Sequence, residues 1–127
     1  MAALTGTVQL HGRALRVRVS EAAARVLAER AGGTVAELEL YFSCLVRKRV
    51  RFLPAGERDR AELPAGPAGL RVRLRPVAGR ACAVEEAAGG QPLEALPVAR
   101  PEAFVPRWLH VDAGPGGLAG SFGFTEG

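Results

Sequence analysis

The stretch at residues 69–77, GLRVRLRPV, has an arginine at every second position: Arg71, Arg73 and Arg75, with Leu70, Val72 and Leu74 between them. Successive side chains of a β-strand point to opposite faces. This spacing therefore sets three guanidiniums in a row on one side of a sheet and aliphatic groups on the other. The pattern recurs. Arg16 and Arg18 alternate with Leu15, Val17 and Val19, and Arg47, Arg49 and Arg51 alternate with Val46, Val50 and Phe52. A guanidinium is a planar, permanently charged fork of N–H donors that suits carboxylate and phosphate oxygens. The chemistry on offer is recognition of an anion, either an acidic protein surface or a nucleic-acid phosphate backbone. Like charges directly opposite each other across strands repel, so such a face also needs carboxylates. Glu37 and Glu39 share a parity in the stretch before Arg47, and Glu57, Asp59 and Glu62 follow Arg51, so internal pairing competes with an external anion.

Other chemistries find less support. His11 and His110 are the only histidines, and Cys44 and Cys82 the only cysteines. None of these has metal-ligand spacing, so neither a metal nor another cofactor is expected. His110 with Asp112 would supply the base and orienter of a cysteine nucleophile, but Cys44 falls on the apolar side of its alternating stretch, where a thiol is inert. The glycine-rich GPGGLAGS at 114–121 has neither the Lys-Ser/Thr pair of a phosphate loop nor GxGxxG spacing. These absences lead to the expectation of a non-enzymatic binding or accessory module. Tyr41 is the one aromatic side chain expected on the arginine faces, which favours contact with phosphate or a protein over stacking on bases.

The elements that must hold the arginines follow from periodicity. TGTVQLHGRALRVRV, at 5–19, reads as a hairpin, with a turn at Gly12-Arg13 pairing Leu10 with Leu15 and Val8 with Val17. Ser20 is a candidate N-cap for a helix over 21–31 that Gly32 and Gly33 stop. Residues 34–53 alternate with period two, as one bent strand or as two strands broken near Ser43, and a helix over 34–45 is the alternative. A loop over 54–69, a strand over 70–77 and a short strand at 81–86 follow. Prolines at 92, 97, 101 and 106 exclude long regular elements there. RWLHV, at 107–111, is expected as a last edge strand. The expected fold class is α+β: a mostly antiparallel sheet of about five strands, with one helix on its aliphatic face. A single domain would occupy residues 1–111, and residues 112–127 a glycine-rich tail. Phe122 and Phe124 would be pegs by which that tail docks on a partner or on a second copy of the chain.

Bulk properties bound the rest. The chain has 127 residues, is 48% hydrophobic and 24% charged, and carries a net charge of +4. These values fit a folded domain and favour anionic partners. No apolar run approaches the ~18 residues of a membrane span. The opening MAALTGTVQLHGR lacks the basic and apolar regions of a secretory signal, so a cytoplasmic location is expected.

Two short resemblances accompany this reading. Arg47 and Arg51 have the RxxxR spacing of PilZ cyclic-dinucleotide receptors, and DAGPGGL from Asp112 resembles that family's second motif, DxSxGG, with Gly114 where the serine stands. The resemblance implies, as an alternative, a small receptor for a cyclic dinucleotide. The order hairpin, helix, strand, with TVAEL at 34–38, also resembles the β-grasp fold. A third class is a structural subunit that assembles through its C-terminal segment.

Overall fold

The computed structural model describes residues 3–42, 46–79, 93–95 and 101–125. In chain order the elements are β1 (Leu4–Leu10), β2 (Arg13–Val19), α1 (Glu21–Glu29), β3 (Thr34–Phe42), β4 (Val46–Pro54), α2 (Glu57–Glu62), β5 (Arg71–Gly79), β6 (Leu93–Ala95), β7 (Trp108–Gly114) and β8 (Gly117–Gly123). The fold is mixed α and β and consists mainly of strand. Residues 34–53 form two strands, as one of the expected readings had it, and the helical alternative does not occur. The candidate strand at 81–86 and both cysteines lie outside the described residues.

The single five-stranded sheet of the sequence reading is replaced by two four-stranded sheets. Sheet I has the order β1-β2-β7-β8, and sheet II the order β4-β3-β5-β6. Each joins two antiparallel strand pairs through a parallel central pair: β2 with β7, and β3 with β5. The β-grasp order fails at β3, which starts a second sheet instead of extending the first. Alternation assigns each side chain to a face but is silent on which strand lies alongside.

The two aliphatic faces cover each other. Val8, Leu15, Val17, Leu109, Val111 and Phe122 of sheet I meet Ala36, Leu38, Leu40 and Val72 of sheet II in one buried cluster, which α1 joins with Ala23, Ala24 and Leu27. Each fully buried Leu or Val there contributes about 1.5–3 kcal/mol. The contact is close at Gly120 of β8, where a Cβ would come within 3.1 Å of Val50 and Phe52 on β4. Beside it the Lys48 ammonium donates to the Phe122 carbonyl at 3.0 Å and sits 5.8 Å from the Phe122 ring centroid, tying β4 to β8.

The first hairpin turns one residue earlier than expected. His11 and Gly12, with φ of 50° and 78°, occupy the turn, and the register pairs Val8 with Leu15 and Leu10 with Arg13. Positive φ at both central residues is the type I′ pattern, whose twist matches the strands. That match outweighs the Leu10–Leu15 pairing. The shift moves the register by two residues, so every side chain keeps its face.

Helix α1 is short for an isolated helix and depends on its anchor. The Ser20 hydroxyl accepts from the Ala23 N–H at 3.1 Å and donates to Asp112 at 2.6 Å, while the Ser20 N–H donates to the Val111 carbonyl at 2.9 Å. The helix start is thereby fastened to β7.

The C-terminal part departs most from the sequence reading. RWLHV contributes β7, which lies between β2 and β8 and is not an edge. The boundary placed after residue 111 falls inside β7. The glycine-rich segment turns at Pro115 and Gly116 and returns as β8, entered through Gly117 at φ 103°. Phe122 is 2% exposed within the molecule's own core, and Phe124 stays at the surface. No helix among the described residues is long and apolar enough to cross a membrane.

Candidate functional site

The eight candidate arginines occupy two different faces. Arg47, Arg49 and Arg51 on β4 and Arg71, Arg73 and Arg75 on β5 project from the outer face of sheet II, on either side of β3. Arg16 and Arg18 project from the outer face of sheet I.

On sheet II the central strand supplies the counter-charge. The registers set Glu37 between Arg51 and Arg73, and Glu39 between Arg49 and Arg75. Both glutamates are nearly sealed, at 4% and 2% exposure. Glu37 accepts from Arg73 Nε at 3.0 Å, with Arg73 Nη2 paired to the same oxygen at 2.9 Å. Glu39 accepts from Arg75 at 3.1 Å and from the Tyr41 hydroxyl at 2.9 Å, and pairs with the Arg49 guanidinium at 3.1 Å. Asp59 of α2 adds a third carboxylate, 3.2 Å from Arg73, while its other oxygen accepts the Gly56 N–H at 2.8 Å and caps the helix. Arg71 is held differently, donating to the Leu63 carbonyl at 2.9 Å.

The result is a layer of guanidiniums lying over buried carboxylates. The arginine side chains remain between 34% and 55% exposed at Arg49, Arg51, Arg73 and Arg75, with donors left over on the solvent side. Tyr41 lies beside this layer, with the Arg49 guanidinium 6.0 Å from its ring centroid. Burial, then its hydrogen bond to Glu39 and that carboxylate's charge, push the Tyr41 phenol up, against the pull of Arg49 and Arg51.

Sheet I is arranged differently around its arginines. Two rungs cross it: Thr7, Arg16, Trp108 and Gly123 on one, and Thr5, Arg18, His110 and Ser121 on the next. No carboxylate faces either arginine from these rungs. The Trp108 indole lies across Gly123, where a Cβ would come 2.5 Å from the ring, and its centroid is 4.6 Å from that of His110. Thr5, Thr7, Arg16, Arg18, Trp108 and His110 line an open groove of about 480 Å³. Beyond His110, Asp112 is held by Ser20 and by the Ala113 N–H, and these bonds, the hydroxyl first, draw its carboxyl below the usual range.

The two PilZ-like motifs are not brought together. Arg51 faces outward from sheet II, bound to Glu37 and Glu39, and Asp112 faces outward from sheet I. Among the described residues no cluster of histidine, cysteine, aspartate or glutamate has the makings of a metal site. No protein-family model matches this chain, and comparison with curated proteins and with solved structures found no match to it.

Sequence reasoning missed the setting of Trp108 and His110. Both have the parity of an outward-facing pair in RWLHV, but nothing local signals that β7 lies parallel to β2. Asp59's double duty is legible only in part: the N3 carboxylate of a helix is a sequence signal, and its reach to Arg73 is not.

Proposed function

We propose that the protein is a non-enzymatic binding module whose outer sheet II face contacts an anionic partner, an acidic protein surface or a phosphate backbone. One observation carries this reading. Six arginines on β4 and β5 share one face with three carboxylates, Glu37, Glu39 and Asp59, so the layer keeps a positive excess. Four of its guanidiniums, those of Arg49, Arg51, Arg73 and Arg75, are already oriented from below. Glu37 under Arg51 and Arg73, and Glu39 under Arg49 and Arg75, remove much of the rotamer freedom that a long side chain otherwise loses on binding. Isolated surface arginines would lack that preorganisation.

The test is binding of labelled duplex DNA and of polyglutamate across a salt series. Micromolar affinity that falls as salt rises is expected for at least one of them, with the slope against duplex counting phosphates contacted. Preference for one identifies the partner's chemistry. The paired substitution Arg47→Gln with Arg49→Gln is expected to weaken binding by about tenfold or more. Failure of both polyanions to bind at low salt, or full affinity in the double variant, overturns the reading.

A further inference from the structure

The second arginine face supports a separate site that goes beyond the sheet II reading. On sheet II the strand between the arginines brings glutamates; on sheet I the strands flanking β2 bring hydroxyls on one side and aromatic rings on the other. Each rung reads hydroxyl, guanidinium, ring: Thr7, Arg16, Trp108, then Thr5, Arg18, His110. All of these side chains are exposed except Trp108, which is half-buried. Arg18 makes no hydrogen bond or ion pair among the described residues. The Trp108 indole is fixed by the bare backbone of Gly123 beneath one face.

We propose that this groove binds nucleotides, a base stacking on Trp108 and His110 and the phosphate meeting Arg16 and Arg18. A planar ring system answers the ring pair, which stacks in a sequence-tolerant way because every base has a π-face. A phosphate answers the guanidiniums, of which that of Arg18 makes no ion pair among the described residues. Thr5 and Thr7 add hydroxyls that donate to and accept from a sugar or phosphate. The same three-part rung occurs twice, about 6.8 Å apart along the strands, so a single strand of nucleic acid can place consecutive nucleotides on consecutive rungs. A duplex cannot, because its bases are already stacked inside. An acidic protein surface would satisfy the arginines and leave the rings without a partner.

Trp108 is the only tryptophan, so its fluorescence reports this groove alone. The full chain is titrated with a short mixed-sequence single-stranded oligonucleotide, with a nucleoside monophosphate and with inorganic polyphosphate. Saturable quenching by a base-bearing ligand is expected. A monophosphate that matches the oligonucleotide identifies a free nucleotide as the ligand, and a much weaker one identifies a strand. Arg18→Gln and His110→Ala, both at exposed positions, are each expected to weaken binding by about tenfold. Arg25→Gln on α1 removes an equal charge elsewhere and is expected to leave it unchanged. Absence of saturable quenching, equal quenching by polyphosphate, or unchanged affinity in both groove variants overturns the proposal. The sheet II reading is tested with duplex and polyglutamate, which offer no bases to Trp108, so either reading can fail alone.

Discussion

Glu37 and Glu39, two residues apart on β3, share the same two guanidiniums. Arg75 lies 3.6 Å from Glu37 and 3.1 Å from Glu39, and Arg51 lies 3.8 and 3.7 Å from them. Each arginine therefore neutralises a pair of carboxylates, and each carboxylate is shared among strands. This is the arrangement that lets two acidic side chains be buried next to each other on a sheet surface.

Glu39→Gln is expected to destabilise the protein by about 2 kcal/mol in urea unfolding. Breaking a fully buried pair costs about 3–5 kcal/mol. Here the arginines left behind are 39–55% exposed and take up water instead. The same variant gains one positive charge on the face and is expected to bind duplex DNA or polyglutamate more tightly than the wild type. A stability change under about 0.5 kcal/mol would place this pair with ordinary surface bridges.

Gly123→Ala is expected to displace the indole of Trp108, since the new Cβ would meet ring atoms at 2.5–2.8 Å. The cost is about 1–3 kcal/mol, as for other overpacked sites. A shift of the Trp108 emission maximum, together with weakened nucleotide quenching, is the expected readout. An unchanged spectrum would mean that the ring does not rest on Gly123.

Ser20→Ala removes the cap of α1 and is expected to cost about 1 kcal/mol. It also removes the strongest hydrogen bond holding the Asp112 carboxyl below its usual range. The sign follows from linkage. With its folded pKa depressed, Asp112 contributes stability that is present above its unfolded value and is lost as pH falls through the folded one. In the variant the Asp112 carboxyl is expected to titrate at higher pH by NMR, and the difference in stability from the wild type is expected to narrow in acid. A titration unchanged by the substitution would show that the hydroxyl is not its partner.

His11 holds φ 50° in a turn that asparagine fills more readily. His11→Asn is therefore expected to stabilise by a few tenths of a kcal/mol, and Gly12→Ala, at φ 78°, to destabilise by about 1 kcal/mol. A destabilising His11→Asn in thermal unfolding would return the turn to Gly12-Arg13, in which Gly12 keeps a positive φ and His11 does not.

Much of the candidate site was legible because it depends on parity. The alternation of Arg47, Arg49 and Arg51, and of Arg71, Arg73 and Arg75, marks those side chains as sharing one face of their strands. The parity of Glu37 and Glu39 marks them as available counter-charges. Ser20 and the alanine-rich run after it mark a capped helix. Each of these is a local property, set by the geometry of one strand or one helical turn.

Strand neighbours are another matter, because they are chosen by burial across the whole chain. Alternation alone could not tell that β3 would sit between β4 and β5 and bring glutamates under their arginines. Nor could it tell that β7 would lie beside β2, setting Trp108 and His110 next to Arg16 and Arg18. The glycine-rich stretch after Asp112 reads as a tail on composition, since glycine has little to bury. It becomes β8 because Gly120 allows close approach to Val50 and Phe52 and because Phe122 fills the space between the sheets. The sequence by itself determined which side chains face water and which face the core. Only the tertiary structure decided which arginines lie over the buried glutamates and which lie beside Trp108 and His110, because that choice rests on contacts between strands far apart in the chain.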